Sequence, residues 1–533
     1  MTEVLATIEG VAGPGRIGRV AIGDVLRRSA IRFPERIAIV EGARRTSFAE
    51  LDAASNRLAN YFLSRGLRRG DKVATIGQNS TEYVVATFAI HKAGLVWVPI
   101  NAMLGADDMR FILGHAGVSL AAIDGAILAD ATRREILDDL RISPIVIGGT
   151  VGSDSPDVPS IARAIEEQSP VEPEVEINER DLALIMYTSG TTARPKGAMH
   201  CHLAVIMAAM SNAVELRLER HDAVTGILPL FHCGQHTILL SFMLVGAKTA
   251  LMKGFDPLAA MERVQQEKLT VFVGLPLMYA AILNHPRRAE HDLGSLRACV
   301  YAMAPMPEPL LRRLIPEICP NFILISGQTE MYPGTTMAQP DRQLERFGNY
   351  WGESCLVNET AIMDDQGVAL TRGEIGEIVH RGPNAMLGYY RDPAATAATR
   401  LFGWHHTGDL GLIDENGEVL FLDRKKDMIK SGGENVSSVR IEEVLLAHPA
   451  VQNAAVIGLP HPRWGEAVCA FVKLKPDHMA NEDGIIQHCR CHLGGFQIPK
   501  LVKFMDEMPM TATGKLRKAE LRQSFAAHFD NIA

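Results

Sequence analysis

The stretch YTSGTTARPKG, residues 187–197, gathers hydroxyls, glycines, a proline and a lysine directly behind the apolar run 182–186. Glycine and Ser/Thr residues in such a loop let backbone N–H groups and hydroxyls point at one anion, and Lys196 adds a positive charge. The chemistry this suits is the holding of a phosphate. A Walker A loop would read G-x4-G-K-[ST], whereas here Gly190 precedes Lys196-Gly197 with no hydroxyl residue after the lysine. Taken alone, the stretch is equally a polar turn.

The elements around it must hold it in place. Residues 48–63 carry apolar side chains at helical spacing (Leu51, Ala54, Leu58, Phe62), and Gly66 ends the run. KVATIG (72–77) reads as a strand, a helix capped by Ser80 runs towards Gly94, and LVWVPI (95–100) is the next strand. This β-α-β alternation predicts a parallel sheet covered by helices. It recurs at TVFVGL (270–275), LRACVYA (296–302), a helix from Glu308, and FILIS (322–326). After about residue 350 the segments shorten into hairpins, with Asn416-Gly417 as a turn signal. DRKKDMIKSGG is a polar junction before a last block with its own apolar segments. The fold class expected is α/β: a large N-terminal domain of parallel-type sheets plus a β-rich subdomain (1–425), and a small mobile α+β C-terminal domain (426–533).

Composition narrows the function. The 533 residues are 47% hydrophobic and 22% charged, an ordinary globular balance, and the net charge of −8 argues against nucleic acid as a partner. The start MTEVLATIEG is acidic where a signal peptide would be basic, and the longest apolar run (237–252) is broken by Gly246 and Lys248. No integral membrane segment and a cytoplasmic location are expected. The eight cysteines are scattered, as for reduced thiols. His488-Cys489-Arg490-Cys491-His492 lacks a second ligand pair and reads as a half-buried helix rather than a metal site.

Five motifs in fixed order change the weight of the loop. Besides YTSGTTARPKG these are SGQTE (326–330), GWHHTGDLG (403–411), DRKKDMIKSGGENVSSVRIEE (423–443) and TATGKLRK (511–518). Together they resemble the adenylate-forming superfamily, the AMP-forming acyl-CoA synthetases and their relatives, from TSFAELD (46–52) to the end of the chain. Ala193 departs from a usual glycine, Ala302 from the glycine of S-G-x-A-P-L, and His461 in HPRWGEAV from a usual aspartate.

The resemblance implies ATP and Mg²⁺ as cofactors, coenzyme A as co-substrate, and a small carboxylic acid as substrate. Thr188, Ser189, Gly190, Thr191, Thr192 and Lys196 would hold the β- and γ-phosphates, Thr329 the α-phosphate, and Glu330 the metal. Ala304 and Pro305 would line the adenine site, Gly327 and Gln328 would also belong to the ATP/AMP-binding residues, Asp409 would accept from the ribose hydroxyls, and Arg424 would reach the ribose and phosphate region. Lys515 would bridge carboxylate and α-phosphate oxygens during adenylation. Lys426 would be the hinge about which the C-terminal domain turns, and Ser431, Gly432 and Gly433 would then border the path of the coenzyme A thiol.

His232, Gln235, Tyr301, Ala302, Met303, Ser326, Gly327 and Tyr332 are the expected walls of the acid pocket. His232-Cys233 after Phe231 stands where an amino-acid-activating domain would place an aspartate, which disfavours an α-amino acid. A medium- or long-chain fatty acid is the first expectation and a cinnamate- or benzoate-like acid the alternative. Loading of a carrier protein, a luciferase-like oxygenase and a non-catalytic nucleotide sensor are the competing readings. The presence of Lys515 and Glu330 opposes the last. Oligomeric state is not legible from these residues, and a homodimer stays open.

Overall fold

The computed structural model describes residues 18–148, 158–188, 194–302, 306–339, 344, 349–510 and 516–529. Two large sheets and one small one organise them. The first has seven strands. Its middle is parallel: Ser143–Ile147, Val118–Asp124, Lys72–Ile76, Val96–Ile100 and Leu182–Thr188 lie side by side in that order. These strands are short apolar runs, and Val96–Ile100 is buried throughout, as a sheet covered on both faces requires. Lys196–Cys201 then returns antiparallel beside Leu182–Thr188, and the two-residue strand Gly388–Tyr389 closes that edge.

The second sheet has fourteen strands. One half is parallel and includes Val271–Gly274, Ala298–Tyr301 and Phe322–Ser326. The other half is antiparallel and includes Trp404–Ile413 paired with Val419–Arg424 across the Asn416-Gly417 turn. The hairpins therefore extend the parallel sheet instead of forming a sheet of their own. The connection runs through Asn349–Ser354, which pairs with Thr336–Ala338 on one side and Val419–Arg424 on the other. Gly352 makes this crossing feasible. Its φ is +80°, and a Cβ there would sit 2.0 Å from the Met337 carbonyl oxygen.

Local signals place the helices. Ser47 and Glu50 form a capping box at the start of Phe48–Ser64, and Ser80 accepts from the Tyr83 N–H at the start of Thr81–Lys92. Every residue of Thr81–Lys92 but Glu82 is buried, within the same core as Trp97, Leu239 and Tyr332. Its last residue, Lys92, is fully buried and binds Asp52 at 2.7 Å and Glu172 at 3.2 Å. Glu172 also meets Arg19 and Arg27, which share Asp24. Three cations and three carboxylates thus neutralise one another inside the core, as buried charges must.

The third sheet has five strands, with Ile429–Ser431 between Glu434–Val436 and Gly465–Leu474, and Val451–His461 and Leu501–Phe504 flanking the last of these. Helices Ser438–Ala447 and Glu482–His492 cover its core. The HCRCH segment lies on the second of these, with Cys489 buried and Cys491 exposed. Among the described residues no group of three or more His, Cys, Asp or Glu is placed to hold a metal. Among them, too, no helix is long and apolar enough to cross a membrane.

Candidate active site

Three consecutive residues after the strand Phe322–Ser326 reach three different parts of the molecule. Gln328 is extended, and residues 329–331 form one 3₁₀ turn. This short turn aims each residue differently.

Gln328 points to the hairpin. Its amide nitrogen donates to Asp409 Oδ2 at 2.8 Å and to the Thr407 carbonyl at 3.2 Å. Its amide oxygen accepts from His405 Nε2 at 3.2 Å. Burial, with Arg400 and His406 nearby, pushes His405 down to about 4, so the ring is neutral and Nε2 carries the hydrogen. Asp409 is 4% exposed, and burial raises its carboxyl to about 6 despite the Arg424 charge. Arg424 is its cross-strand partner, with Nε 3.6 Å from Oδ1. Half of the Arg424 side chain remains exposed, so its guanidinium is available to a ligand as well.

Thr329 points to the first sheet. Its carbonyl accepts from His200 Nε2 at 2.7 Å, and its hydroxyl lies 3.7 Å from Cys233 Sγ. Burial pushes His200 down to about 3, which keeps this ring neutral and its Nε2–H a donor. His232 caps the helix Cys233–Val245, half-buried against Phe231.

Glu330 points to the edge strand. Tyr389 Oη donates to Glu330 Oε1 at 2.8 Å, and the Lys196 ammonium stands 5.3 Å from the centre of the Tyr389 ring. Lys196 begins the strand Lys196–Cys201 directly opposite Thr188, and Thr188 Oγ1 donates to the Lys196 carbonyl at 3.4 Å. Residues 188 and 196 therefore mark the mouth of the loop expected to bind phosphate.

The expected acid-pocket residues separate into two groups. Ala302, Ser326 and His232 are half-buried and Gly327 is exposed. Gln235 is buried, its Oε1 accepting from the Leu228 N–H at 3.2 Å and its Nε2 without a hydrogen-bond partner among the described residues. Tyr301 is 5% exposed at the end of its strand. Tyr332, expected in the wall, has no exposed surface. Its hydroxyl bonds His236 and its ring meets His200 edge-on, so it packs behind the wall as core. Ser189, Gly190, Thr191, Thr192, Met303, Ala304, Pro305 and Lys515 lie outside the described residues.

Lys426 is exposed, just beyond Arg424 at the end of the hairpin. Ser431 is buried, while Gly432 and Gly433 are exposed with φ of +62° and +88°. The Gly432 N–H donates to the Trp464 carbonyl at 2.8 Å.

Sequence reasoning missed Tyr389, His200 and His405, which contact the 328–330 turn. Tyr389 had a legible signal, Gly388-Tyr389-Tyr390, aromatic residues behind a glycine. Nothing local marked the two histidines, because their role depends on contacts 77 to 129 residues away in the chain.

Comparison with known proteins gives the family. Residues 26–390 match the AMP-binding enzyme family, and residues 440–515 match the AMP-binding enzyme C-terminal domain. A feruloyl-CoA synthase from Amycolatopsis sp is 34% identical over 93% of this chain and 98% of its own length. A long-chain-fatty-acid–CoA ligase from Mycobacterium tuberculosis is 32% identical over 95% of this chain and 99% of its own. The structure of o-succinylbenzoate coenzyme A synthetase from Bacillus subtilis, in complex with ATP and a magnesium ion, superposes with a TM-score of 0.83. It is 29% identical, and the match covers 93% of this chain and 98% of that one. The chain belongs to the AMP-binding enzyme family and is an adenylate-forming acid–CoA ligase.

Proposed function

We propose that this enzyme condenses a carboxylic acid with ATP to give an acyl-adenylate and pyrophosphate, then transfers the acyl group to coenzyme A. The gathering of Asp409 and Lys196 around residues 328–330, Asp409 through Gln328 and Lys196 through Tyr389, carries this reading. A nucleotide laid along the turn meets a carboxylate at one end and a cation at the other. Asp409 accepts from the ribose diol, Arg424 supplies a fixed charge beside it, and Thr329 meets the α-phosphate. Thr188, Ser189, Gly190, Thr191, Thr192 and Lys196 hold the β- and γ-phosphates, the group that leaves. Ala304 and Pro305 line the adenine, and Gly327 and Gln328 belong to the same nucleotide site.

Glu330 suits a divalent cation. One carboxylate oxygen is fixed by Tyr389, while the other has no hydrogen-bond partner among the described residues. A single carboxylate fits Mg²⁺ that is carried mainly by phosphate oxygens. When bound there, Mg²⁺ offsets the negative charge of the triphosphate. Lys515 adds a point cation between the attacking carboxylate and the α-phosphate, where charge develops. Rotation of the C-terminal domain about Lys426 then withdraws Lys515 and brings Ser431, Gly432 and Gly433 to the site for the thiol.

The acid is a medium- or long-chain fatty acid on the first reading, because alanine and methionine among the expected wall residues, Ala302 and Met303, suit a flexible chain. The 34% identity to a feruloyl-CoA synthase favours an aryl acid as the second. Pyrophosphate release measured across a panel of fatty, cinnamate-like and benzoate-like acids decides between them. Release with saturated chains of eight or more carbons, and not with aryl acids, supports the first reading, and the reverse pattern overturns it.

A further inference from the structure

The segment 384–390 is stitched to both halves of the proposed phosphate site. Asn384 Nδ2 donates to the Met331 carbonyl at 2.7 Å, and the Met386 N–H donates to the Glu330 carbonyl at 2.8 Å. Leu387 N–H reaches the Met199 carbonyl, and Tyr390 N–H the Gly197 carbonyl, at 2.6 and 2.7 Å. Between these anchors Tyr389 lies opposite Ala198, two residues along the strand from Lys196. Side chains two apart share a face of a strand, which puts Lys196 diagonal to the Tyr389 ring.

Tyr389 is 8% exposed, and its backbone N–H is bound by Thr396 Oγ1 at 2.8 Å, so its ring has little freedom. From that position it acts on both charges. The hydroxyl fixes one Glu330 oxygen, and the ring face meets the Lys196 ammonium. A free Glu330 would sample several rotamers and could turn towards Lys196, each charge cancelling the other. The tyrosine engages both groups, and the second Glu330 oxygen has no hydrogen-bond partner among the described residues.

We propose that Tyr389 is a positioning residue for the metal–nucleotide complex: it holds the Glu330 carboxylate and the Lys196 ammonium apart and oriented, so that one is offered to the cation and the other to phosphate. This rests on Glu330 as the metal-binding residue. Groups that orient a metal ligand by hydrogen bonding typically affect metal affinity 10- to 100-fold. Tyr389→Phe keeps the ring and the Lys196 contact and deletes only the hydroxyl.

The test is binding of ATP with Mn²⁺, followed by the electron paramagnetic resonance of free Mn²⁺, beside ATP binding in EDTA, for the wild type, Tyr389→Phe and Glu330→Gln. The expected result is weaker Mn²⁺–ATP binding by Tyr389→Phe, by about tenfold, with ATP binding in EDTA, melting temperature and KM for the acid unchanged. Wild-type Mn²⁺–ATP binding by Tyr389→Phe while Glu330→Gln weakens it overturns the role of Tyr389 alone. Equal losses with and without metal also overturn it, since that is the mark of a general structural defect. Unchanged Mn²⁺–ATP binding by Glu330→Gln removes the metal reading of Glu330, and the proposal with it.

Discussion

Gln328 and Asp409 are 81 residues apart in the chain, yet the amide of one donates to the carboxylate of the other at 2.8 Å. The same amide group holds the Thr407 carbonyl and His405, so one side chain locks the parallel half of the large sheet to its antiparallel half at the site.

Gln328→Ala removes these bonds and leaves a buried carboxylate with one fewer donor. The KM for ATP is expected to rise about tenfold, equivalent to ~1.4 kcal/mol. Gln328→Glu, which places a second carboxylate against Asp409, is expected to lose more. Steady-state kinetics with ATP varied at saturating acid check both.

Burial raises Asp409 to about 6, so its charge is present above that pH and is lost as pH falls through it. An acceptor-only carboxylate becomes a partial donor when protonated. The KM for ATP is therefore expected to climb as pH drops from 7 towards 5. Asp409→Asn is expected to show a raised KM that stays flat over the same range. A parallel climb in the variant would assign the titration to another group.

The buried network at Lys92 makes a stability prediction. Burial would raise Asp24 and Glu172, but Arg19 and Arg27 around the one, and Lys92 and Arg19 around the other, hold both below the ordinary carboxylate range. For carboxyls lowered in the folded state, the stabilisation is complete above their unfolded values and fades as pH falls through the folded ones. Acid unfolding should therefore steepen below about pH 4, where unfolded carboxylates titrate. Lys92→Met takes the cation from Asp52 and leaves Glu172 to Arg19 and Arg27, and is expected to cost about 3 kcal/mol at neutral pH, read by urea unfolding.

Gly432 has a φ of +62°, and a Cβ added there would lie 3.2 Å from the Trp464 ring. Gly432→Val is expected to slow acyl transfer to coenzyme A about tenfold through backbone strain, leaving acyl-adenylate formation at the wild-type rate. Single-turnover measurement of each half-reaction separates the two steps. Equal slowing of both would remove Gly432 from the thiol path.

Much of this fold is legible in the chain because the signals are local. The strands Lys72–Ile76 and Val96–Ile100, the helix between them and its Ser80 cap follow from short apolar runs, a capping serine and the closing Gly94. Asn416-Gly417 marks its own hairpin. What eluded reading depends on distant partners. Nothing near Tyr332 shows that its hydroxyl finds His236 and leaves the pocket wall for the core. The fusion of the hairpins with the parallel sheet hangs on Gly352, whose meaning appears only beside the Met337 carbonyl. Tyr389 is adjacent in sequence to neither Glu330 nor Lys196, and the edge pairing with the strand Lys196–Cys201 brings all three together.

The identity of the nucleotide product tests most directly whether the reaction runs through an acyl-adenylate. With α-labelled ATP, coenzyme A and the acid that best releases pyrophosphate, labelled AMP is expected in equal amount to acyl-CoA. A labelled acyl-adenylate is expected when coenzyme A is withheld. Labelled ADP with free phosphate, or acyl-CoA formed without AMP, would contradict that route.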